Sequence, residues 1–313
     1  MPPAAQWCKP ADLTPLTALA VGELLTEAGV PDGAVEVVTT TDPSAVVTTW
    51  LEDRRVRKVS FTGSTRVGRH LLHQAADRVL NTSMELGGNA PLIVAHDADL
   101  DNAVAGTMIA KFRNGGQACT AANRIYVHVD VAAVFLAKLG AEVEKLTVGP
   151  ASDGAAVGPL VNATELHRVT EVVDLAVREG ARISHQARLP DSGGYFYPPT
   201  VLADVPSDAT ILQNEIFGPV APVVTWHDED ELLRQVNDTE YGLAAYVFAG
   251  ELGRAIRLAE RIDVGMIGIN RGLVSDPSAP FGGVNQSGLG REGARDGLRE
   301  FQEAQYLSVD WST

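Results

Sequence analysis

Apolar residues recur at helical spacing at Leu16, Leu19, Ala20 and Leu24. They predict a helix over 14–28, begun by Thr14-Pro15 and stopped by Gly29. Short runs at 35–39, 58–61 and 81–85 read as strands, with helices at 44–51 and 66–77 between them. After Leu86-Gly87-Gly88 the rhythm restarts. Strands are predicted at 91–94, 124–129, 220–225, 244–248 and 265–269. Helices are predicted at 100–113, 131–145, 164–178, 230–237 and 252–261. Strands alternating with helices predict an α/β fold built on parallel sheets. The chain reads as one domain over 1–88, a second over 89–288, and a C-terminal segment over 289–313. The stretch 276–290 is rich in Gly, Pro and Ser and reads as a long irregular loop, a kind that is usually functional. The tail over 306–311 alternates like an edge strand.

Composition narrows the classes. The chain has 313 residues, enough for two domains. The 45% hydrophobic and 21% charged fractions are those of a globular protein with a substantial core. Forty acidic against 25 basic residues leave a formal charge of −15, which disfavours nucleic acid and anionic membranes as partners. Two cysteines, Cys8 and Cys119, point to a reducing, cytoplasmic setting. No eighteen-residue apolar run is present, and MPPAAQWCKP lacks the features of a signal peptide.

Several residues are candidates for chemistry. Cys119 follows Asn114-Gly115-Gly116-Gln117-Ala118, where glycines permit a tight turn that presents a thiol. The heptapeptide alone leaves open a nucleophile or a small buried core residue. Glu85 ends a strand beside glycines and reads as a general base facing a cleft, or as a solvated or capping glutamate. Gly63 and Ser64 form a strand-to-helix turn with free N–H donors suited to a phosphate, or merely a capped helix. Asp12, near Lys9, could cap the next helix or accept from a ribose. Glu215 sits with Phe217 in a Gly-Pro break that is either a site or a structural turn.

Seven motifs then fall in one order: Lys9-Pro10-Ala11, FTGST (61–65), MELGG (84–88), GQAC (116–119), NEIFGP (214–219), PFGG (280–283) and SGLGREG (287–293). From Lys9 to Trp311 this series resembles the aldehyde dehydrogenase superfamily. The resemblance implies an incomplete Rossmann-like cofactor domain followed by an α/β catalytic domain of the aldehyde dehydrogenase type. The C-terminal segment would return to the cofactor domain and end in an oligomerisation-type strand. The resemblance further implies Cys119 as nucleophile and Glu85 as general base. Lys9 and Glu215 would hold ribose hydroxyls of a nicotinamide cofactor, with Gly63, Ser64, Leu86 and Phe217 also at the cofactor. Asp12 would accept from a free 2′-hydroxyl and repel a 2′-phosphate, favouring NAD over NADP. FRNGGQAC and SDPSAPFGGVNQSGLGREG look most like the succinate-semialdehyde dehydrogenase branch, in which Arg113 and Ser275 would grip a substrate carboxylate. No metal is implied. Ala121 stands where some members of that branch carry a second cysteine.

The chain opens just before the Lys9 motif, and MPPAAQWC does not look like the strand expected there. The resemblance then implies that a first strand and helix, an oxyanion-hole asparagine, a subunit-pairing hairpin and a further carboxylate-binding arginine are missing. Losing one oxyanion donor typically costs ~10²–10³ in rate. Exposed edges and low stability are expected of such a chain, although the family is homo-oligomeric. Two other readings stay open: a non-catalytic remnant or interaction protein, and a thiol esterase that needs no cofactor.

Overall fold

The computed structural model describes residues 5–191 and 193–312. They divide into two compact units, one made of the described residues up to 59 with 73–81, the other of 60–72 with those from 82 onward. The division passes through a strand, a helix and a second strand rather than at one point in the chain.

In the first unit, β1 (Gln6–Cys8) pairs in parallel with β2 (Val35–Val37). This corrects the expectation that the opening residues form no strand, with residues 1–4 lying outside the described part. Val35 and Val37 supply the β-branched partner that the short QWC segment lacks alone. Helix α1 (Pro15–Glu27) starts with proline in its first turn, where a missing N–H removes no hydrogen bond. Its apolar stripe is not core. Leu16 and Leu24 are exposed, and no residue of α1 is buried. Helix α2 (Pro43–Glu52) is capped by Asp42, which accepts from the Ala45 N–H at 3.0 Å.

In the second unit, a three-stranded sheet runs in the order β12–β4–β3, made of β3 (Lys58–Thr62), β4 (Asn81–Glu85) and β12 (Gly288–Leu289). Helix α3 (Thr65–Ala76) follows β3. The larger sheet has seven strands: β5 (Ala90–Val94), β6 (Ala122–His128), β7 (Arg182–Gln186), β8 (Thr200–Ala203), β9 (Val220–Trp226), β10 (Ala244–Phe248) and β11 (Met266–Ile269). Their spatial order is β11–β10–β5–β6–β9–β8–β7, parallel except for the β7–β8 edge pair.

Alternation along each strand divides the core between two faces, as the pleat requires. Leu92, Val94, Ile125, Val127, Val223, Tyr246 and Phe248 meet α4 (Leu100–Thr107) and α5 (Val129–Glu144) on one side. Ile93, Ala95, Tyr126, Val224, Ala245 and Val247 meet α6 (Ala163–Arg178), α7 (Glu229–Asn237) and α8 (Leu252–Ala259) on the other. Burial on both faces is why these strands read as unbroken apolar runs. The sequence reading missed β7, β8, β12 and the short helix α9 (Ala294–Arg299). Among these, β7 is polar and half-exposed at an edge, and β12 has only two residues, so neither carries a periodic signal.

Two further expectations change. The helix expected over 100–113 ends at Thr107 and continues as a π-helical turn, Met108–Phe112. The wider turn buries Ala110, Lys111 and Phe112 consecutively, which one face of an α-helix does not do. The tail over 306–311, expected as a strand, is exposed and forms no ladder within the chain. Alternation alone does not make a strand when no neighbour takes up its N–H and C=O groups.

Candidate active site

Four neighbouring strands of the large sheet, β10, β5, β6 and β9, are each entered from a segment that carries candidate residues. Gly87-Gly88 leads into β5, Cys119 into β6, Glu215–Pro219 into β9, and Tyr241-Gly242 into β10. The chemistry is therefore gathered at the N-terminal ends of these strands.

The cysteine turn is locally encoded. Arg113–Gly116 forms a 3-10 turn in which Asn114 (φ 53°), Gly115 (φ 61°) and Gly116 (φ 70°) are all left-handed. Glycine enters this region freely, and asparagine more readily than most residues. A Cβ at Gly116 would lie 2.3 Å from the Gly218 oxygen, so the turn rests directly on the NEIFGP backbone. Gln117 clamps the turn by donating to the Pro159 oxygen at 3.2 Å and accepting from the Val161 N–H at 3.0 Å. The buried Tyr246 hydroxyl donates to the Thr120 oxygen at 2.8 Å. On the other side, a Cβ at Gly88 would stand 2.2 Å from the Cys119 oxygen. Gly88 thus lets β5 approach the cysteine backbone.

Glu85 ends β4 and is 4% exposed, and among the described residues neither of its carboxylate oxygens has a hydrogen-bond partner. Burial first, and Glu292 second, push its pKa up to about 8, with Arg291 opposing. Burial, with the charges of Glu215 and Glu85 behind it, pushes the Cys119 thiol up to about 11. Cysteine and both carboxylates therefore share one electrostatic environment, and the resting thiol is protonated at neutral pH.

Glu215 is half-buried and accepts from the Gly88 N–H at 3.2 Å. Its pKa is raised by burial, against the Gly88 N–H, Arg168 and Lys111. Phe217 occupies a left-handed conformation (φ 48°), rare for an aromatic residue, directly before Gly218. A Cβ at Gly87 would meet Glu215 Oε2 at 3.0 Å, Thr65 Oγ1 at 3.3 Å and Tyr241 Cε1 at 3.3 Å. The absent side chain lets Glu215, Thr65 and Tyr241 close in on the Gly87 backbone. Gly63 and Ser64 are exposed at the start of α3, and the Gly63 N–H donates to the Glu85 oxygen at 3.0 Å. Leu86 is different. Its side chain is buried against Gly68, and its N–H donates to the Ser287 oxygen at 2.9 Å. Arg113 is exposed directly after Phe112, and Ser275 directly after Val274. Phe112, Val274 and Cys119 all belong to one apolar cluster.

In the first unit, Lys9 Nζ lies 2.6 Å from Asp12 Oδ1. Asp12 does not cap α1, whose N-cap is Thr14 without a side-chain hydrogen bond.

The family model for the aldehyde dehydrogenase family matches residues 4–307. The chain belongs to the aldehyde dehydrogenase family. A succinate-semialdehyde dehydrogenase from Paenarthrobacter nicotinovorans is 50% identical over 302 residues, covering 96% of this chain and 67% of that protein. A glutarate-semialdehyde dehydrogenase from Pseudomonas aeruginosa is 46% identical over 302 residues, covering 96% and 62%. Among solved structures, an E. coli NADP-dependent enzyme is 44% identical with a TM-score of 0.94, covering 97% of this chain and 63% of that one. The chain thus spans roughly two thirds or less of the length of these relatives. Among the described residues no helix is long and apolar enough to cross a membrane, and no group of three or more His, Cys, Asp or Glu is placed to hold a metal ion.

The motif reading passed over two residues packed at this candidate site. Ser287 is fully buried. It accepts from the Gly242 N–H at 2.9 Å and donates to the Gly87 oxygen at 2.7 Å, tying the entries of β10 and β5 together. Its only sequence signal was membership of SGLGREG. Lys111 is fully buried beneath the cysteine turn, and the trace it left was one charge inside the apolar run MIAKF.

Proposed function

We propose that the site oxidises a small aldehyde bearing a carboxylate, of the succinate or glutarate semialdehyde kind, to the corresponding acid using NAD or NADP. The observation that carries this reading is the placing of Cys119 beside two carboxylates, the half-buried Glu215 and the buried Glu85, whose carboxylate oxygens have no hydrogen-bond partner among the described residues. A buried carboxyl with no partner in the protein is suited to hold a reacting water.

The exposed Gly63-Ser64 turn and the Glu215 carboxylate fit a dinucleotide. Glu215 would accept from ribose hydroxyls, Ser64 would meet the pyrophosphate, and Phe217 would stand at the nicotinamide side. In the first unit, Lys9 and Asp12 are assigned to ribose hydroxyls. Asp12 favours NAD, because a 2′-phosphate would meet a carboxylate. When bound, the oxidised nicotinamide supplies a hydride acceptor and a positive charge.

The chain's own residues do the rest. The Cys119 thiol gives its proton to solvent water, and Sγ bonds to the aldehyde carbon as the carbonyl π pair moves onto its oxygen. With the hydride acceptor bound, oxidation at that carbon would leave a thioester on Cys119. Glu85, ionised above its raised pKa, takes a proton from water as the water's oxygen attacks the thioester carbon. The C–S bond breaks, releasing the acid and the Cys119 thiolate. Arg113 would hold the distal carboxylate through paired N–H donors, with the Ser275 hydroxyl as a further donor.

The test is reduction of NAD and of NADP by the purified chain with succinate and glutarate semialdehydes, beside an unbranched apolar aldehyde. Arg113→Ala is expected to raise KM for the semialdehydes at least about tenfold and to leave the apolar aldehyde little changed. Ester turnover with no dinucleotide dependence in any assay would overturn the reading.

A further inference from the structure

Lys111 is fully buried, and the mechanism above does not use it. Burying an ammonium group is costly, and methionine would fill similar space without that cost. Among the described residues, its Nζ has one hydrogen bond, donated to Asn123 Oδ1 at 2.8 Å. Asn123 is itself buried, and its Nδ2 donates to the Gly88 oxygen at 3.4 Å. The same residue's N–H donates to Glu215 Oε1 at 3.2 Å. A continuous chain therefore runs from Lys111 through Asn123 and Gly88 to Glu215, passing beneath the Cys119 backbone. Arg168 is the other cation on Glu215, acting on its carboxyl more strongly than Lys111 does and donating to the Glu215 backbone oxygen at 3.3 Å. It donates to the Ile216 oxygen at 2.6 Å and pairs with Glu165 at 2.8 Å. Burial brings the Lys111 ammonium down to about 7, with the charge of Glu215 opposing, and burial raises Glu215, with the Gly88 N–H, Arg168 and then Lys111 opposing.

We propose that Lys111 is a positioning residue for Glu215: a buried cation that, beside Arg168, helps keep this carboxylate ionised and, through Asn123 and the Gly88 backbone, holds it in its accepting orientation. For the dinucleotide this rests on the proposed role of Glu215 at the ribose hydroxyls. A neutral carboxyl there would offer one acceptor fewer and would compete as a donor. The link between Lys111 and Glu215 itself does not depend on that role.

Infrared absorption of protonated carboxyl groups tests the pair directly, using the full chain near pH 6, where Lys111 carries its proton, in a Glu85→Gln background that removes the other raised carboxyl. Lys111→Met is expected to add one buried-acid band, which Lys111→Met/Glu215→Gln loses. Lys111→Gln is measured in parallel, and either folded variant decides the question. A folded variant without the new band overturns the proposal. Titration with NAD is the second arm. Lys111→Met and Glu215→Gln should each weaken binding about tenfold, and the double variant no more than either. Independent, additive losses would overturn the proposal. Absence of NAD binding by the unsubstituted chain would refute the ribose assignment, while the infrared result still decides whether Lys111 holds Glu215 ionised.

Discussion

A Cβ on residue 282 would stand 2.8 Å from Glu85 Oε1, so Gly282 and the Glu85 carboxyl occupy adjoining space that no larger residue at 282 leaves free. The same Cβ would meet the Gly290 oxygen at 2.9 Å, and φ there is +152°. The PFGG loop thus forms one wall of the Glu85 site. Gly282→Ala is expected to lower stability by about 1–3 kcal/mol through overpacking and backbone strain. Denaturant melts of the two proteins measure this, and equal midpoints would show that the wall yields.

The raised pKa of Glu85 makes stability depend on pH. Its folded value of about 8 lies above the ordinary 4.5, so between these the folded chain holds a proton that the unfolded chain has lost. Stability contributed by the neutral, buried carboxyl is complete below the ordinary value and declines as pH rises towards 8. Glu85→Gln should flatten this part of the stability curve, by up to a few kcal/mol at its alkaline end. Urea titrations from pH 5 to 9 would expose the difference, and parallel curves would rule it out. In an active preparation the same variant should slow thioester hydrolysis by ~10²-fold or more.

Cys119 should be a reluctant nucleophile in the resting chain. Its thiol is pushed up to about 11, by burial first and then by Glu215 and Glu85. Alkylation by iodoacetamide is expected to be slow at neutral pH and to rise steeply above pH 9. Above pH 8, where Glu85 is ionised, Glu85→Gln removes a repelling charge and should accelerate alkylation several-fold. Mass spectrometry of the Cys119 peptide reads both effects. Fast alkylation at pH 7 would show that the thiol is already activated.

Ser287 joins two backbone groups that lie far apart in the chain, the Gly242 N–H and the Gly87 oxygen. Ser287→Ala would leave both without their partner in a fully buried place. A loss of about 1–3 kcal/mol per group is expected. Ser287→Thr keeps the hydroxyl but crowds its surroundings, so it should recover only part of the loss. Thermal unfolding of the three proteins separates these outcomes.

Much of the fold was legible because its signals are local. Leu92, Ile93 and Val94 announce a strand buried on both faces, and the helices between strands follow from apolar spacing. The cysteine turn is equally local, since Asn114, Gly115 and Gly116 are residue types that enter left-handed backbone at little cost. Motif order added the pairing of Cys119 with Glu85. Other readings failed where the outcome depends on distant neighbours. The stripe of α1 lies exposed, the tail over 306–311 forms no ladder, and the run into Lys111 widens into a π-helical turn.

What the linear chain determined by itself is therefore the α/β alternation, the shape of the Cys119 turn and the family. Tertiary structure alone decided the charge states: a thiol and a carboxyl held neutral by burial, and a lysine sealed beneath them. Backbone preference and apolar periodicity act over a few residues, whereas desolvation and Coulomb terms depend on what the rest of the chain brings alongside. Glu215 and Gly88 are 127 residues apart in sequence and share one hydrogen bond, and no local pattern encodes that meeting.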